Sequence, residues 1–179
     1  MSKAVLISIH PEWCEKIING EKTIEVRKTR PKLQTPYKCY IYCTKPKREY
    51  EDFIRTDYPK PQFYGGGKVI GEFTCERIAL IAYDGGELSS TTNAAFSPAT
   101  CLSQTEIIAY IGDKGRCYGW HISDLRIYDT PRELSEFECP YECNECDAKW
   151  ATECNACHEE GKIKRAPQSW CYVEELQNG

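Results

Sequence analysis

The alternation of apolar and polar positions along the chain predicts more β-strands than helices. Runs typical of strands cover residues 4–9, 23–28, 37–44, 68–82, 117–128 and 168–173. Loops are predicted over residues 45–67, where Pro46, Pro59 and Pro61 interrupt the pattern, and over residues 83–100, which are rich in Gly, Ser, Thr and Asn. The pattern therefore favours a protein built mainly from a sheet.

Two short segments have helical spacing instead. The apolar face of the first consists of Trp13, Cys14, Ile17 and Ile18. Pro11 suits its first turn and Gly20 is a natural C-terminal stop. Ser103 and Glu106 form the Ser-x-x-Glu capping-box pattern, which predicts a second helix at about residues 103–112. With two helices and many strands that alternate little with them, the predicted fold class is α+β, a small, mostly antiparallel β-barrel.

The length and the hydropathy limit the number of domains and the possible association with a membrane. A chain of 179 residues suits one domain, which we take to span residues 1–179. No apolar run approaches the roughly 20 residues that cross a bilayer. The apolar stretch at the N-terminus is too short for a signal peptide. We therefore expect a cytoplasmic protein that has no membrane partner.

The charges are distributed unevenly. The net charge is -4, which argues against indiscriminate binding to nucleic acid. Residues 1–68 nevertheless hold 14 Lys and Arg against 8 Asp and Glu, whereas residues 69–179 hold 9 against 19. Either the basic half contacts phosphate while the acidic half faces away, or both halves are solvated faces without a partner.

A cluster of charged residues follows the first predicted helix, in the pattern Gly20-x-Lys22-x-x-Glu25-x-Arg27. Glu25 and Arg27 are two residues apart on a predicted strand, so their side chains share a face. They form either a mutual salt bridge or the polar floor of a cleft. In a cleft, Arg27 would bind a phosphate or a base carbonyl and Glu25 would accept from an exocyclic amine. Lys22 would anchor a phosphate or act as a base.

Further binding candidates come from the aromatic and basic residues. Cations and tyrosines are interleaved after the motif, a composition typical of surfaces that hold single-stranded nucleic acid, and we take Lys45 and Tyr42 from it. Trp120 and His121 are adjacent on a predicted strand and face opposite sides, so we take both as candidates for the cleft. The alternatives are tyrosines that fill a barrel and a histidine that is only hydrogen-bonded.

Five of the twelve cysteines cluster near the C-terminus, with the spacing Cys139-x3-Cys143-x2-Cys146-x7-Cys154-x2-Cys157. Two C-x-x-C pairs joined by a short loop suit a tetrahedral Zn²⁺ site with four thiolates. The predicted ligands are Cys143, Cys146, Cys154 and Cys157, with Cys139 as the alternate and His158 as a weaker candidate. An iron–sulfur cluster at the same cysteines is the alternative. A radical-SAM enzyme is excluded because the chain is too short for its barrel.

The surroundings of these cysteines favour a structural role. Residues 133–160 hold nine Asp and Glu, with Lys149 as the one Lys or Arg among them, so they do not favour nucleic acid. We therefore predict that zinc folds an insertion over residues 139–162, placed before the last strand, which has little core of its own. An acidic surface at residues 133–160 that docks a protein partner is a third functional hypothesis, for an adaptor protein.

The motif and its context resemble the ASCH domain, a β-barrel family related to PUA domains. The motif Gly20-x-Lys22-x-x-Glu25-x-Arg27 is similar to the family signature between a helix and a strand. Supporting segments are Gly71-Glu72-Phe73, Tyr118-Gly119-Trp120-His121-Ile122, Ser123-Asp124-Leu125 and Pro167-Gln168-Ser169-Trp170-Cys171-Tyr172-Val173. They resemble ASCH proteins of gut Firmicutes and their phages, a subgroup that carries the cysteine-rich insertion.

The resemblance implies a PUA-like barrel that binds RNA or a modified nucleobase beside the motif. It also implies a second hypothesis, a hydrolase in the same cleft, either an acylcytidine amidohydrolase or a ribonuclease. Hydrolytic members use a Lys, a Thr and a Glu, and Glu25 stands at the position of their Thr. The catalytic candidates are therefore Lys22, Glu25 and Thr23, whose hydroxyl would replace the missing one.

Overall fold

The computed structural model describes residues 2–45, 66–91, 98–140 and 161–177. The four predicted zinc ligands lie outside the described residues, as do residues 141–160 of the predicted insertion and of the acidic surface. The predictions made for them stay predictions.

The chain forms seven strands and two α-helices within these ranges. In chain order they are β1 (Lys3–Ile9), α1 (Pro11–Ile18), β2 (Ile24–Arg27), β3 (Tyr37–Cys43), β4 (Lys68–Tyr83), β5 (Leu88–Ser90), α2 (Gln104–Ile111), β6 (Arg116–Arg132) and β7 (Trp170–Glu174). Single 3-10 turns at Gly112–Lys114 and Leu134–Glu136 flank β6. The predicted elements are all present with ends shifted by a few residues, and β5 lies in a segment that we predicted to be loop.

The strands form one mixed sheet in the order β2-β6-β4-β3-β1-β7, with β5 paired to β4. β1 runs parallel to β3 and antiparallel to β7, and β2 runs antiparallel to β6. The prediction of an α+β fold is confirmed, but the predicted barrel closure is wrong, because β2 and β7 end the order of described strands. The parallel pair is allowed because α1 and β2 carry the chain across between β1 and β3.

The described residues group into two compact units. The first unit draws on Met1–Cys14, Lys38–Phe73 and Arg126–Gly179, and the second on Glu15–Tyr37 and Thr74–Leu125. The core of the first unit includes Leu6, Tyr40, Val69, Phe137, Ile163 and Val173. The core of the second unit includes Val26, Ile81, Ile107, Ile111 and Cys117. Val26 anchors β2, the strand that carries Glu25 and Arg27, in the core of the second unit.

The helices are short. Within the described residues, no helix is long and apolar enough to cross a membrane.

Candidate functional site

The backbone around Lys22 is fixed by hydrogen bonds at the end of α1 and at the start of β2. Gly20 takes the left-handed conformation (φ +76°) that ends the helix, and the N–H of Lys22 donates to the carbonyl of Lys16 at 3.0 Å. The N–H groups of Thr23 and Ile24 both donate to the carbonyl of Ala99 at 2.9 Å. The motif is therefore held between the helix and the segment before α2.

Lys22 is buried, with 3% of its surface exposed. Its Nζ donates to the carbonyl oxygen of Thr100 at 2.7 Å and lies 3.4 Å from Oε2 of Glu25. A lysine in such a position needs partners, because an unpaired buried ammonium costs several kcal/mol. The carbonyl and the carboxylate supply them.

Glu25 links Lys22 to Arg27. Its Oε1 lies 2.9 Å from Nε of Arg27, and the exposed fractions of the two side chains are 7% and 11%. The pairing follows from the two-residue period of β2, which puts both side chains on one face. We call Lys22, Glu25 and Arg27 the motif triad. With two cations and one carboxylate it carries one surplus positive charge when Lys22 is protonated.

Burial sets the protonation behaviour of Lys22. Desolvation lowers its pKa from the usual 10.5, and the neighbouring Glu25 carboxylate opposes part of that shift. A lowered pKa gives the amine two chemical uses: its charged form attracts an anion, and its neutral form accepts a proton.

Trp120 and His121 lie opposite the motif strand but differ in their roles. Trp120 pairs in register with Glu25, so the two side chains share a face. The indole is fully buried and packs edge-on against Tyr37, with ring centroids 6.1 Å apart. His121 pairs with Ile24 on the other face, where burial and the nearby Arg77 lower its pKa. Both effects favour the neutral imidazole.

The remaining candidates are not part of the triad. Thr23 is exposed and precedes β2, so its hydroxyl does not join the buried network. Tyr42 is buried in the core of the first unit, and Lys45 is an exposed residue of that unit. The structure thus brings together Lys22, Glu25 and Arg27 within the second unit.

Two site residues escaped the sequence analysis. Thr100 contributes a backbone carbonyl, which no side-chain pattern reveals. Tyr110 on α2 accepts a hydrogen bond from the N–H of Lys28, and its ring lies 5.1 Å from Nζ of that lysine. Glu25 and Arg27 act electrostatically on its hydroxyl, and burial raises its pKa. The helical spacing of Ile107, Tyr110 and Ile111 was the available signal for its place on the inner face of α2.

Cys139 is the one predicted metal candidate within the described ranges. It is buried in the first unit, and its role as an alternate zinc ligand stays a prediction. In the described part of the chain, no three His, Cys, Asp or Glu side chains are grouped so as to hold a metal ion.

The fold resembles that of solved ASCH proteins. The crystal structure of ASCH from Zymomonas mobilis superposes with a TM-score of 0.58 at 19% identity, covering 96% of this chain and 88% of that one. Two point mutants of the same protein give TM-scores of 0.58 and 0.59, each at 18% identity. They cover 97% and 96% of this chain, and it covers 92% and 89% of theirs. No curated protein sequence matches the chain significantly.

The sequence itself matches the ASCH domain over residues 7–153. The chain therefore belongs to the ASCH domain family, a PUA-like fold family proposed to bind RNA.

Proposed function

We propose that the protein binds RNA or a modified nucleobase beside the motif triad. The observation that carries the proposal is the buried triad itself, whose two cations outnumber its one carboxylate. A surplus of positive charge attracts an anion or a polar acceptor, and more strongly where water is partly excluded. RNA supplies both, as phosphate oxygens and base carbonyls.

Arg27 is the triad member best placed to meet a ligand. Its side chain is the most exposed of the three, and its Nε forms an ion pair with Glu25 at 2.9 Å. A guanidinium held in this way is suited to forked recognition of phosphate or of a base edge. Lys22 lies deeper and adds charge to the same place.

Titration of a labelled single-stranded RNA of about ten nucleotides, followed by fluorescence anisotropy, tests the proposal. Arg27→Gln removes a charge-assisted contact and is expected to weaken binding by roughly 10- to 100-fold. The matched control is Lys164→Gln, an exposed lysine of the first unit, which should bind as the native protein does. Equal losses of RNA affinity in both variants would refute the proposal, provided that circular dichroism shows both proteins to be folded.

The lowered pKa of Lys22 supports a second candidate function, hydrolysis in the same place. A neutral lysine amine close to Glu25 is a general base for a water molecule or for a ribose 2′-hydroxyl. Such a base is compatible with acylcytidine amide cleavage and with ribonuclease chemistry.

A turnover assay separates the two functions. The protein is incubated with acylated and unmodified cytidine and with the short RNA, and the products are followed by mass spectrometry. The hydrolase hypothesis predicts product formation that Lys22→Gln abolishes and Lys164→Gln preserves. Binding without any product supports the binding function instead.

We also propose that Cys143, Cys146, Cys154 and Cys157 bind one structural Zn²⁺. The spacing of the two C-x-x-C pairs supports this, and the four residues suit a closed tetrahedral site with no open coordination position. The metal would order the insertion at residues 139–162, whose sequence offers little core. A closed site has no position for a substrate, so the proposed role of the metal is structural.

Metal analysis of protein purified under reducing conditions tests the zinc proposal. We expect about one zinc per chain, a loss of thermal stability with a strong chelator, and loss of the metal in Cys146→Ser. Cys101→Ser is the control, because Cys101 is a free, half-buried thiol outside the cluster. Reduced protein that contains no metal, and whose thermal stability does not change with a chelator, would contradict the zinc proposal.

A further inference from the structure

A second charged feature lies in the same unit as the motif triad. It is a surface cavity of about 430 Å³, which we call the basic pocket, lined by Lys28, Thr29, Arg30, Lys114, Arg116 and Tyr118. Four of its six lining residues are cations, and its lining contains no carboxylate. The chain as a whole has a net charge of -4, so this concentration of positive charge is local.

Within the described ranges, the four cations are not paired with carboxylates. Among the described residues, no carboxylate lies within ion-pair distance of any of them. In contrast, Lys38 and Arg132 of the first unit pair with glutamates at 3.1 and 3.2 Å. A solvated protein face usually mixes both signs of charge. Four like charges around one cavity instead raise the local potential and attract an anion.

Aromatic rings accompany the cations. The guanidinium of Arg30 lies 5.8 Å from the ring centroid of Tyr118, and Nζ of Lys28 lies 5.1 Å from that of Tyr110. The ring of Tyr118 is half-buried at the wall of the pocket. Cations beside a partly exposed ring are the combination that holds phosphates and stacks bases of single-stranded nucleic acid.

The pocket continues directly from the triad. Tyr118 pairs in register with Arg27, and Lys28 follows Arg27 directly along the chain. Glu25 lies two positions before Arg27 on β2, a distance of about 7 Å along the strand. One nucleoside does not fill both places, whereas a chain of nucleotides with phosphates between them does.

We infer that the basic pocket binds the phosphate backbone of a single-stranded polynucleotide whose neighbouring nucleotide lies at the motif triad. The ligand is thus a nucleic-acid strand and not a free nucleoside. The inference rests on the proposed function, since it places the pocket beside the same nucleotide-binding triad.

The test compares two double variants in the RNA titration over a range of salt concentrations. Lys28→Gln with Arg116→Gln removes two exposed pocket cations, and Lys164→Gln with Arg165→Gln removes two exposed cations of the first unit. Each phosphate contact to a single strand adds about 0.7 to the slope of log affinity against log salt. We expect the pocket variant to lower that slope by about 1.4 and to bind roughly 25-fold more weakly at 0.1 M salt. The control should retain the native slope.

Several results would overturn the inference. If the native protein binds RNA and the pocket variant keeps its slope, the pocket assignment fails while the proposed function stands. If the native protein binds no RNA, both fail together. Displacement of the RNA by free cytidine at equal concentration would show that the strand adds nothing. Polyglutamate that binds as tightly as RNA, with the same loss in the pocket variant, would make the pocket a site for acidic peptides.

Discussion

Glu25 holds two cations at once, and this makes it the residue on which the motif triad depends. Its two carboxylate oxygens face Nζ of Lys22 at 3.4 Å and Nε of Arg27 at 2.9 Å. The sequence predicted that Glu25 and Arg27 share a face, because side chains alternate along a strand. It did not predict the depth of Lys22, since that residue's main partner is the carbonyl of Thr100, 78 positions away.

Replacing Glu25 with Gln should destabilise the fold, because it leaves the ammonium of Lys22 buried without a counter-charge. Loss of one partner of a buried pair costs about 3–5 kcal/mol in the free energy of unfolding. Urea denaturation at pH 7 measures it. Glu21→Gln is the control, since Glu21 forms an exposed pair with Lys16 at 3.8 Å and should change stability by about 0.5 kcal/mol or less.

The loss of stability caused by Glu25→Gln should become smaller as the pH rises. Without Glu25, the pKa of folded Lys22 falls further below 10.5, because the carboxylate that raised it is gone. Between the folded and unfolded pKa values the unfolded chain binds more protons, so stability rises with pH in that window. A deficit relative to the native protein that is constant from pH 7 to about pH 10 would contradict this account of Lys22.

The motif strand β2 is only four residues long and depends on β6 for its place in the sheet. Gly119 on β6 pairs with Val26 and allows the two strands to pack closely. A methyl group added there would lie 2.9 Å from Cγ2 of Ile24 and 3.6 Å from Cδ1 of Ile81. The side chain of Ile24 is β-branched and moves little, so the clash has to shift the strand.

Gly119→Ala should therefore lower both stability and RNA affinity. We expect a loss of about 1–3 kcal/mol in the free energy of unfolding, as for other overpacked sites, together with weaker RNA binding. Gly86→Ala is the control, because its added methyl would meet its nearest atom at 3.8 Å. A Gly119→Ala protein of native stability and native affinity would show that the position of β2 is not sensitive to β6.

The elements that sequence reasoning predicted well are those with local signals. The capping box of α2 is present, with Ser103 N–H donating to Glu106 at 2.8 Å and Glu106 N–H donating to Ser103 at 3.2 Å. The parallel direction of β1 against β3 and the open sheet had no local signal. Apolar alternation specifies which face of a strand is buried, but it specifies neither the neighbouring strand nor its direction.

At the scale of the whole molecule, the distribution of charge could also be predicted only in part from the sequence. The surplus of cations in residues 1–68 was visible in the sequence, and it supplies Lys28 and Arg30 to the basic pocket. Lys114 and Arg116 come from the acidic remainder of the chain and reach the pocket only through the fold. The distribution of charge along the sequence was therefore compatible with a nucleic-acid partner or with solvated faces, and it did not locate the surface that would bind such a partner.

Photo-crosslinking is the most direct test of the account, because it reports where RNA lies on the protein. A short single-stranded RNA containing 4-thiouridine is bound and irradiated, and the crosslinked peptides are sequenced by mass spectrometry. We expect crosslinks within residues 22–30 and 110–120, which hold the motif triad, Tyr110 and the basic pocket. Crosslinks confined to residues 2–14 or 161–177, with none in these two segments, would contradict it.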